Sequence, residues 1–301
     1  MKNIIRIATR NSPLALKQAN MAKELLMPSI SCEIVPMTSS GDTVSEKVFK
    51  DHGGKGLFLK ELEESLLGNK CDIAVHSLKD VPAELDNKFS IVTIMQRENA
   101  ADVLVSNKYK KIDDMPRDST IGTSSPRRVA MLKNYSNEFN IVDIRGNIHT
   151  RLKKMDDEKM DAIILAAAGL HRMGLEDKIN EYLPVEQFVP SAGQGILCVE
   201  YIKGNEKIET ILSKYVIENV QKCAEVERSF IESINGDCMS PIGVHATINK
   251  KQIKINAYVS SLDGLRHIKT EYETDMQSKP NPGKYLAEIF IKQGAKKLLK
   301  K

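Results

Sequence analysis

The residues best suited to chemistry fall where strands give way to helices. Arg10, Ser12 and Pro13 close one strand-like run and open a helix, and Thr123, Ser124, Ser125, Pro126, Arg127 and Arg128 repeat that plan further along. Serine caps a helix and proline fits its first position, so the first N–H groups of each helix point back toward the strand end. Those groups and the helix dipole favour negative charge, and arginine adds two-pronged hydrogen bonds to a carboxylate or phosphate. A third connection, Arg145-Gly146-Asn147, leads into another helix that carries Arg151. Only 11 of the 44 basic residues are arginine. A chain that uses lysine for generic surface charge keeps arginine where planar recognition is needed, although arginine also packs well.

Asp80 is the only carboxylate in His76-Ser77-Leu78-Lys79-Asp80-Val81-Pro82, a turn just beyond the buried strand Asp72–Val75. There it suits general acid/base work or the role of counter-charge to a cationic intermediate; a turn-forming aspartate before Val-Pro is the plainer alternative. His76 reads as a satisfied near-core histidine with no catalytic role. Cys238 stands in a loop bounded by Gly236, Pro241 and Gly243, after an amphipathic run that ends at Ile234. The other cysteines, Cys32, Cys71, Cys198 and Cys223, lie in or beside apolar elements and read as small buried hydrophobes.

The elements that must position these residues alternate. A strand at Ile4–Ala8 precedes the helix capped by Ser12, whose Ala15, Ala19, Ala22 and Leu26 share one face. After the strand Glu33–Met37 comes a polar connection, Thr38–Gly56, long enough to suggest a lid or binding loop. A helix over Leu57–Leu67, closed by Gly68, leads to the strand before Asp80. Strands at Ser90–Met95, Asp102–Val105, Thr120–Thr123, Ile141–Ile144 and Asp161–Leu165 follow, with helices after Ser125 and around Arg151. Such alternation predicts a mostly parallel α/β architecture with ligands at the carboxyl ends of the strands. Two such units would face each other across a cleft, joined by crossovers near 96–101 and 190–196, with Ile196–Tyr201 returning as a strand to the first. From about Glu218 the pattern becomes one helix, the cysteine loop, strands and a final helix, a small α+β domain with an antiparallel sheet. The expected domains are 1–97 with 195–216, then 98–194, then 217–301.

A chain of 301 residues with 41% hydrophobic and 28% charged residues describes a soluble globular protein of two or three domains. No apolar run reaches the length of a membrane span, and the N-terminus enters a strand without the apolar core of a signal peptide. Five cysteines without paired spacing fit free thiols in a reducing cytoplasm, and no CxxC or His/Cys cluster suggests a metal. A net charge of +4 without tryptophan argues against a nucleic-acid partner, and the lysine-rich tail Gln293–Lys301 reads as a solvated helix end. There is no Walker loop, no GxGxxG after the first strand and no Gly-x-Ser-x-Gly elbow. The residues by themselves describe a two-lobed cytosolic protein for a multiply anionic small molecule, its chemistry open.

Taken in order, the segments resemble the hydroxymethylbilane synthase, or porphobilinogen deaminase, family. They are Arg6–Ala15, Gly53–Phe58, His76–Pro82, Gly122–Arg128, Ile144–Asn147 with Thr150–Leu152, Pro190–Gly195 and the Cys238 loop, which together run almost the length of the chain. The resemblance implies two lobes like class II periplasmic binding proteins plus a small C-terminal domain. It implies a dipyrromethane cofactor joined by a thioether to Cys238, which primes head-to-tail condensation of four porphobilinogen units with loss of ammonia. By position, Asp80 would be catalytic, steadying the cation formed as ammonia leaves. Ser77, Lys79, Asp80, Thr123, Ser124, Ser125, Arg127, Arg128 and Gly146 would bind the cofactor. Arg10, Ser12, Lys55, Arg145, Arg151 and Gln194 would hold the substrate. A cytoplasmic monomer that hands its product to uroporphyrinogen III synthase is implied, with no metal, nucleic acid or membrane. Two positions depart from the family pattern: Asp237 before the cysteine, where a carboxylate disfavours the thiolate unless it turns away, and His149 in place of the usual glycine. The alternative is a non-enzymatic two-lobed binding protein for a multiply anionic small molecule.

Overall fold

A computed structural model describes residues 4–27, 29–38, 59–237 and 239–299. Cys238, Lys55 and all but the first residue of the Thr38–Gly56 connection lie outside the described residues. The strands are β1 Ile4–Arg10, β2 Ser31–Met37, β3 Ile73–Ser77, β4 Phe89–Thr93, β5 Asp102–Val105, β6 Thr120–Gly122 and β7 Asn140–Val142. They continue as β8 Ala162–Ala166, β9 Glu181–Tyr182, β10 Leu197–Ile202, β11 Ile242–Asn249, β12 Gln252–Ser260 and β13 His267–Asp275. The helices are α1 Pro13–Leu26, α2 Lys60–Leu67, α3 Pro126–Tyr135, α4 Ile148–Asp157, α5 Ala167–Met173, α6 Glu206–Leu212, α7 Glu218–Ile234, α8 Pro282–Lys292 and α9 Ala295–Leu298.

The chain divides into two compact units, Met1–Arg97 with Ile196–Lys222, and Glu98–Gly195 with Cys223–Lys301. In the first, the sheet order is β2-β1-β3-β10-β4. β1 runs parallel to β2 and β3, whereas β10 is antiparallel to both β3 and β4. The alternation of β1 explains its double burial. Ile5 and Ile7 pack with Ala19, Ala22 and Leu26 of α1 on one face, while Ala8 meets Leu62 and Leu66 of α2 on the other. Of the helix expected from Leu57, the described residues show Lys60–Leu67, with no side-chain cap from Leu59; Leu57 and Phe58 lie outside the described residues.

The second unit holds a sheet of order β7-β6-β8-β5-β9, again a parallel trio followed by antiparallel neighbours. Each sheet is thus mostly parallel, as the alternating pattern predicts, with one strand reversed, β10 in the first and β5 in the second. The reason is local: β5 and β10 follow the two chain crossovers directly and enter their sheets from the opposite end. β9, two residues long, is too short to leave a periodic signal.

The same unit contains the antiparallel sheet β11-β12-β13. Phe230 of α7 and Phe290 of α8 cover it, both fully buried and meeting edge to face at 5.3 Å between centroids. Burying a side chain of that size contributes roughly 1.5–3 kcal/mol. Gly283 lets the start of α8 lie on α7, since a Cβ there would stand 2.0 Å from the Val226 carbonyl oxygen. Tyr258 of β12 reaches the core under the second sheet, one of the contacts that join the two sheets within this unit.

Candidate active site

In the first unit the chemistry-bearing residues gather at strand ends. Ser12 is extended and its Oγ accepts from the Ala15 N–H at 3.3 Å, with Pro13 opening α1. Arg10, half-buried, ends β1 two residues earlier. β3 ends at Ser77, whose Oγ accepts from Gln18 Nε2 at 2.8 Å. Gln18 is buried, and this bond joins the inner face of α1 to the strand end. Sequence reasoning missed it, although a glutamine three positions after Ala15 on the apolar face was the available signal. Beyond Ser77 a single 3-10 turn spans Leu78–Asp80. Buried Leu78 anchors it through an N–H bond to the Ile196 carbonyl at 2.9 Å, leaving Lys79 half-buried and Asp80 exposed. His76, as expected, is a near-core residue, with Nε2 3.0 Å from Glu200 Oε2.

The second unit builds a denser cluster at the start of α3. Ser125 caps the helix, accepting from the Arg128 N–H, and buried Thr123 accepts from the Ser125 N–H at 3.3 Å. The Ser124 hydroxyl donates to the Ile144 carbonyl at 2.5 Å and accepts from the Ile144 N–H at 3.2 Å, tying the end of β6 to the end of β7. Arg127 and Arg128 are almost fully buried, 3% and 6% exposed, and both turn to one carboxylate. Arg127 donates to Asp102 Oδ2 at 2.7 Å, to the Val189 carbonyl at 2.8 Å and to Ser191 Oγ at 3.2 Å. Arg128 donates to Asp102 Oδ1 at 2.7 and 3.1 Å and to the Ile164 carbonyl at 2.9 Å. Gln194 is fully buried and donates to Asp102 Oδ1 at 2.9 Å and to the Ala100 carbonyl at 2.7 Å.

Burial by itself would push the Asp102 carboxyl up, but Arg127 and then Arg128 outweigh it and hold the group well below the usual carboxylate range. Two guanidinium ions therefore meet one buried carboxylate, so the cluster keeps a net positive charge. Nothing in the sequence near Asp102, the first residue of a short apolar strand, marks it as the partner of both arginines.

The third connection is also ordered by its own residues. Gly146 has φ +118°, and a Cβ there would lie 2.7 Å from Thr150 Cγ2, so the position calls for glycine. Asn147 caps α4 by accepting from the Thr150 N–H at 2.9 Å. Arg151 Nε donates to the Gly146 carbonyl at 2.7 Å, and Arg145 Nε to Asp143 Oδ2 at 3.3 Å. His149 is exposed on the first turn of α4. The Asp237 carboxylate is engaged within its own turn: Oδ1 accepts from the Met239 N–H at 3.0 Å and from the Ser240 hydroxyl at 2.7 Å. Among the described residues no group of three His, Cys, Asp or Glu side chains could hold a metal ion, and no helix is long and apolar enough to cross a membrane.

Strand-end turns and capped helix starts, with a buried arginine pair on one carboxylate in the second unit, mark the candidate site residues of this α/β protein. The model of the family domain "Porphobilinogen deaminase, dipyromethane cofactor binding domain" matches residues 5–210, and "Porphobilinogen deaminase, C-terminal domain" matches 221–292. The chain is 43% identical over 303 residues to a porphobilinogen deaminase of Francisella philomiragia, covering 100% of both chains. It is 42% identical over 297 residues to one of Francisella tularensis subsp. holarctica, covering 98% of each. Among solved structures, a putative methionine-binding lipoprotein of Bacillus subtilis aligns with TM-score 0.44 at 12% identity, covering 72% of this chain and 92% of that one. A periplasmic substrate-binding protein of Coxiella burnetii gives 0.43 and 12%, covering 69% and 90%. Likeness at that level carries no inference about ligand.

The chain belongs to the porphobilinogen deaminase family. Membership makes it a transferase of porphyrin and haem biosynthesis with hydroxymethylbilane synthase activity and a dipyrromethane cofactor, and it disfavours the non-enzymatic alternative.

Proposed function

We propose that the chain condenses porphobilinogen head to tail on a dipyrromethane primer held by a thioether to Cys238, until four units have been added and hydrolysis frees the linear tetrapyrrole. The observation that carries the site assignment is the buried pair Arg127 and Arg128 sharing the single carboxylate of Asp102. Every pyrrole ring of substrate and primer bears acetate and propionate, so the surplus positive charge has a fitting counter-ion. The bound cofactor supplies the primer; the rest is the work of this chain's side chains.

Thr123, Ser124, Ser125, Arg127, Arg128 and Gly146 would receive the cofactor's carboxylates, as would Ser77 and Lys79. Arg10, Ser12, Lys55, Arg145, Arg151 and Gln194 would hold the incoming substrate. Asp80, exposed on a turn whose neighbour Leu78 is buried, is free of the core and suited to accept pyrrole N–H groups. Its charge would steady the cation that forms on porphobilinogen as ammonia leaves. Beyond the first lobe, 1–97 with 195–216, the chain is read as two domains, 98–194 and 217–301, the latter carrying the cysteine. A cytoplasmic monomer passing its unstable linear product to uroporphyrinogen III synthase completes the reading.

Asp80→Ala tests the assignment. The variant should keep its fold and the mass of a loaded primer once reconstituted, yet lose about two to three orders of magnitude in kcat, as when one preorganised electrostatic group is removed. Full turnover by that variant would end the proposed role.

A further inference from the structure

Behind the turn that carries Asp80 lies a pair that the proposed chemistry does not use. Glu200 sits on β10, between β3 and β4, with no exposed surface. Its Oε2 is 3.0 Å from Nε2 of His76, itself 6% exposed, and among the described residues its Oε1 has no hydrogen-bond partner. Glu63, from α2, feels the same pair. Burial first and the Glu200 charge second push its carboxyl up, while His76 pulls it down and Asp86 adds a smaller upward push. A buried histidine with two acids around it is a costly way to fill a sheet face. Apolar residues of similar volume would hold it at least as firmly, because burying polar and ionisable groups carries a desolvation penalty that apolar packing does not.

A reason other than stability lies in the strand register. β3 and β10 are antiparallel, with His76 opposite Cys198 and Glu200 opposite Ala74. His76 and Glu200 are diagonal neighbours on one face, a contact that a slip of the strands would break. The pairing continues past the strand end, where the Leu78 N–H bonds to the Ile196 carbonyl, and the turn that follows is closed by the Val81 N–H on the Leu78 carbonyl. Whatever fixes β3 against β10 also fixes the point from which Ser77, Lys79 and Asp80 depart. A specific polar contact meets that need better than interchangeable apolar ones, since a buried polar pair tolerates no alternative partner.

We propose that His76 and Glu200 are positioning residues, a buried pair that sets the register of β3 on β10 and thereby holds the Ser77–Asp80 turn in the geometry turnover requires. The inference rests on the reading of Asp80 given above. Glu200→Gln keeps the shape and a hydrogen bond to His76 but removes the charge. Per chain carrying the primer mass, its kcat should fall about tenfold while KM for porphobilinogen stays within about twofold, the mark of lost orientation rather than lost binding. Amide hydrogen exchange at Leu78 and Val81 should quicken at the same time. The double variant His76→Leu with Glu200→Met should melt at or above the parent temperature and still turn over slowly.

Parent-like kcat in the double variant, or parent-like exchange at Leu78 in Glu200→Gln, would overturn the proposal. Should Glu200→Gln not fold, the double variant decides alone. If Asp80→Ala is inactive and Glu200→Gln is fully active, only the positioning role fails. If Asp80→Ala is itself active, the reading beneath it fails instead.

Discussion

At the scale of single residues, Asp102 concentrates the most consequence in one side chain. It is fully buried and is the shared acceptor of Arg127, Arg128 and Gln194. Removing its charge leaves two buried guanidinium ions without their anion, and breaking a buried pair in that way costs about 3–5 kcal/mol. Asp102→Asn should lower the unfolding free energy in urea by that order. The linkage to pH has a definite sign. The folded carboxyl is held well below its ordinary value, so its contribution is fully present above the unfolded pKa, about 3.9, and is lost as pH falls toward the folded value. Titrating from pH 6 downward, the parent should lose stability more steeply than Asp102→Asn, which has no such proton to take up. Parallel curves would mean that the arginines are not held by this carboxylate.

At the scale of elements, close approach of backbones decides what a position tolerates. Gly264, in the β12–β13 turn, has φ +75°, and a Cβ there would lie 2.4 Å from the Ala130 carbonyl oxygen of α3. Gly204 has φ +82° with nothing within 4 Å of the added carbon. Both alanine variants carry the strain of a left-handed residue, about 1–2 kcal/mol, but Gly264→Ala must also move a turn off a helix. It should therefore lower the melting temperature clearly further than Gly204→Ala; equal shifts would remove the contact argument. The contrast also shows what a sequence discloses. Ser12-Pro13 and Ser125-Pro126 read as helix starts and are helix starts, because serine and proline act on the next few backbone groups. The strand before Asp80 and the return strand β10 were legible from their apolar runs. By contrast, the Gln18–Ser77 bond, the His76–Glu200 contact and the Asp102–arginine cluster join residues 59, 124, 25 and 26 positions apart. No local pattern announces them. Gly264 reads as an ordinary turn glycine until the helix beneath it is seen, and β5 and β10 reverse direction because of where the chain crosses, which periodicity does not encode.

At the scale of the whole molecule, charge links the proposed cofactor to stability. The chain has a net charge of only +4, yet it buries Arg127 and Arg128 against one carboxylate. A primer bearing acetate and propionate groups would supply the missing negative charge, and a charge-assisted hydrogen bond of that kind contributes about 1.5–3 kcal/mol. A group that binds only the folded chain stabilises it, and for a chain of this size each 1 kcal/mol moves the melting temperature by roughly 2–4 °C. Cys238→Ser removes the sulfur through which the primer is proposed to be held, while the arginines and Asp102 stay in place. Freshly purified parent protein should exceed its sequence mass by a dipyrrole, and Cys238→Ser should not. The variant should also melt several degrees lower, and the gap should shrink in Arg127→Ala, where less is left for a carboxylate to balance. A parent chain at its bare sequence mass that still polymerises porphobilinogen would break the link between the cysteine and the primer. A mass difference with no change in melting temperature would instead leave the primer in place and remove the arginine pair from its binding.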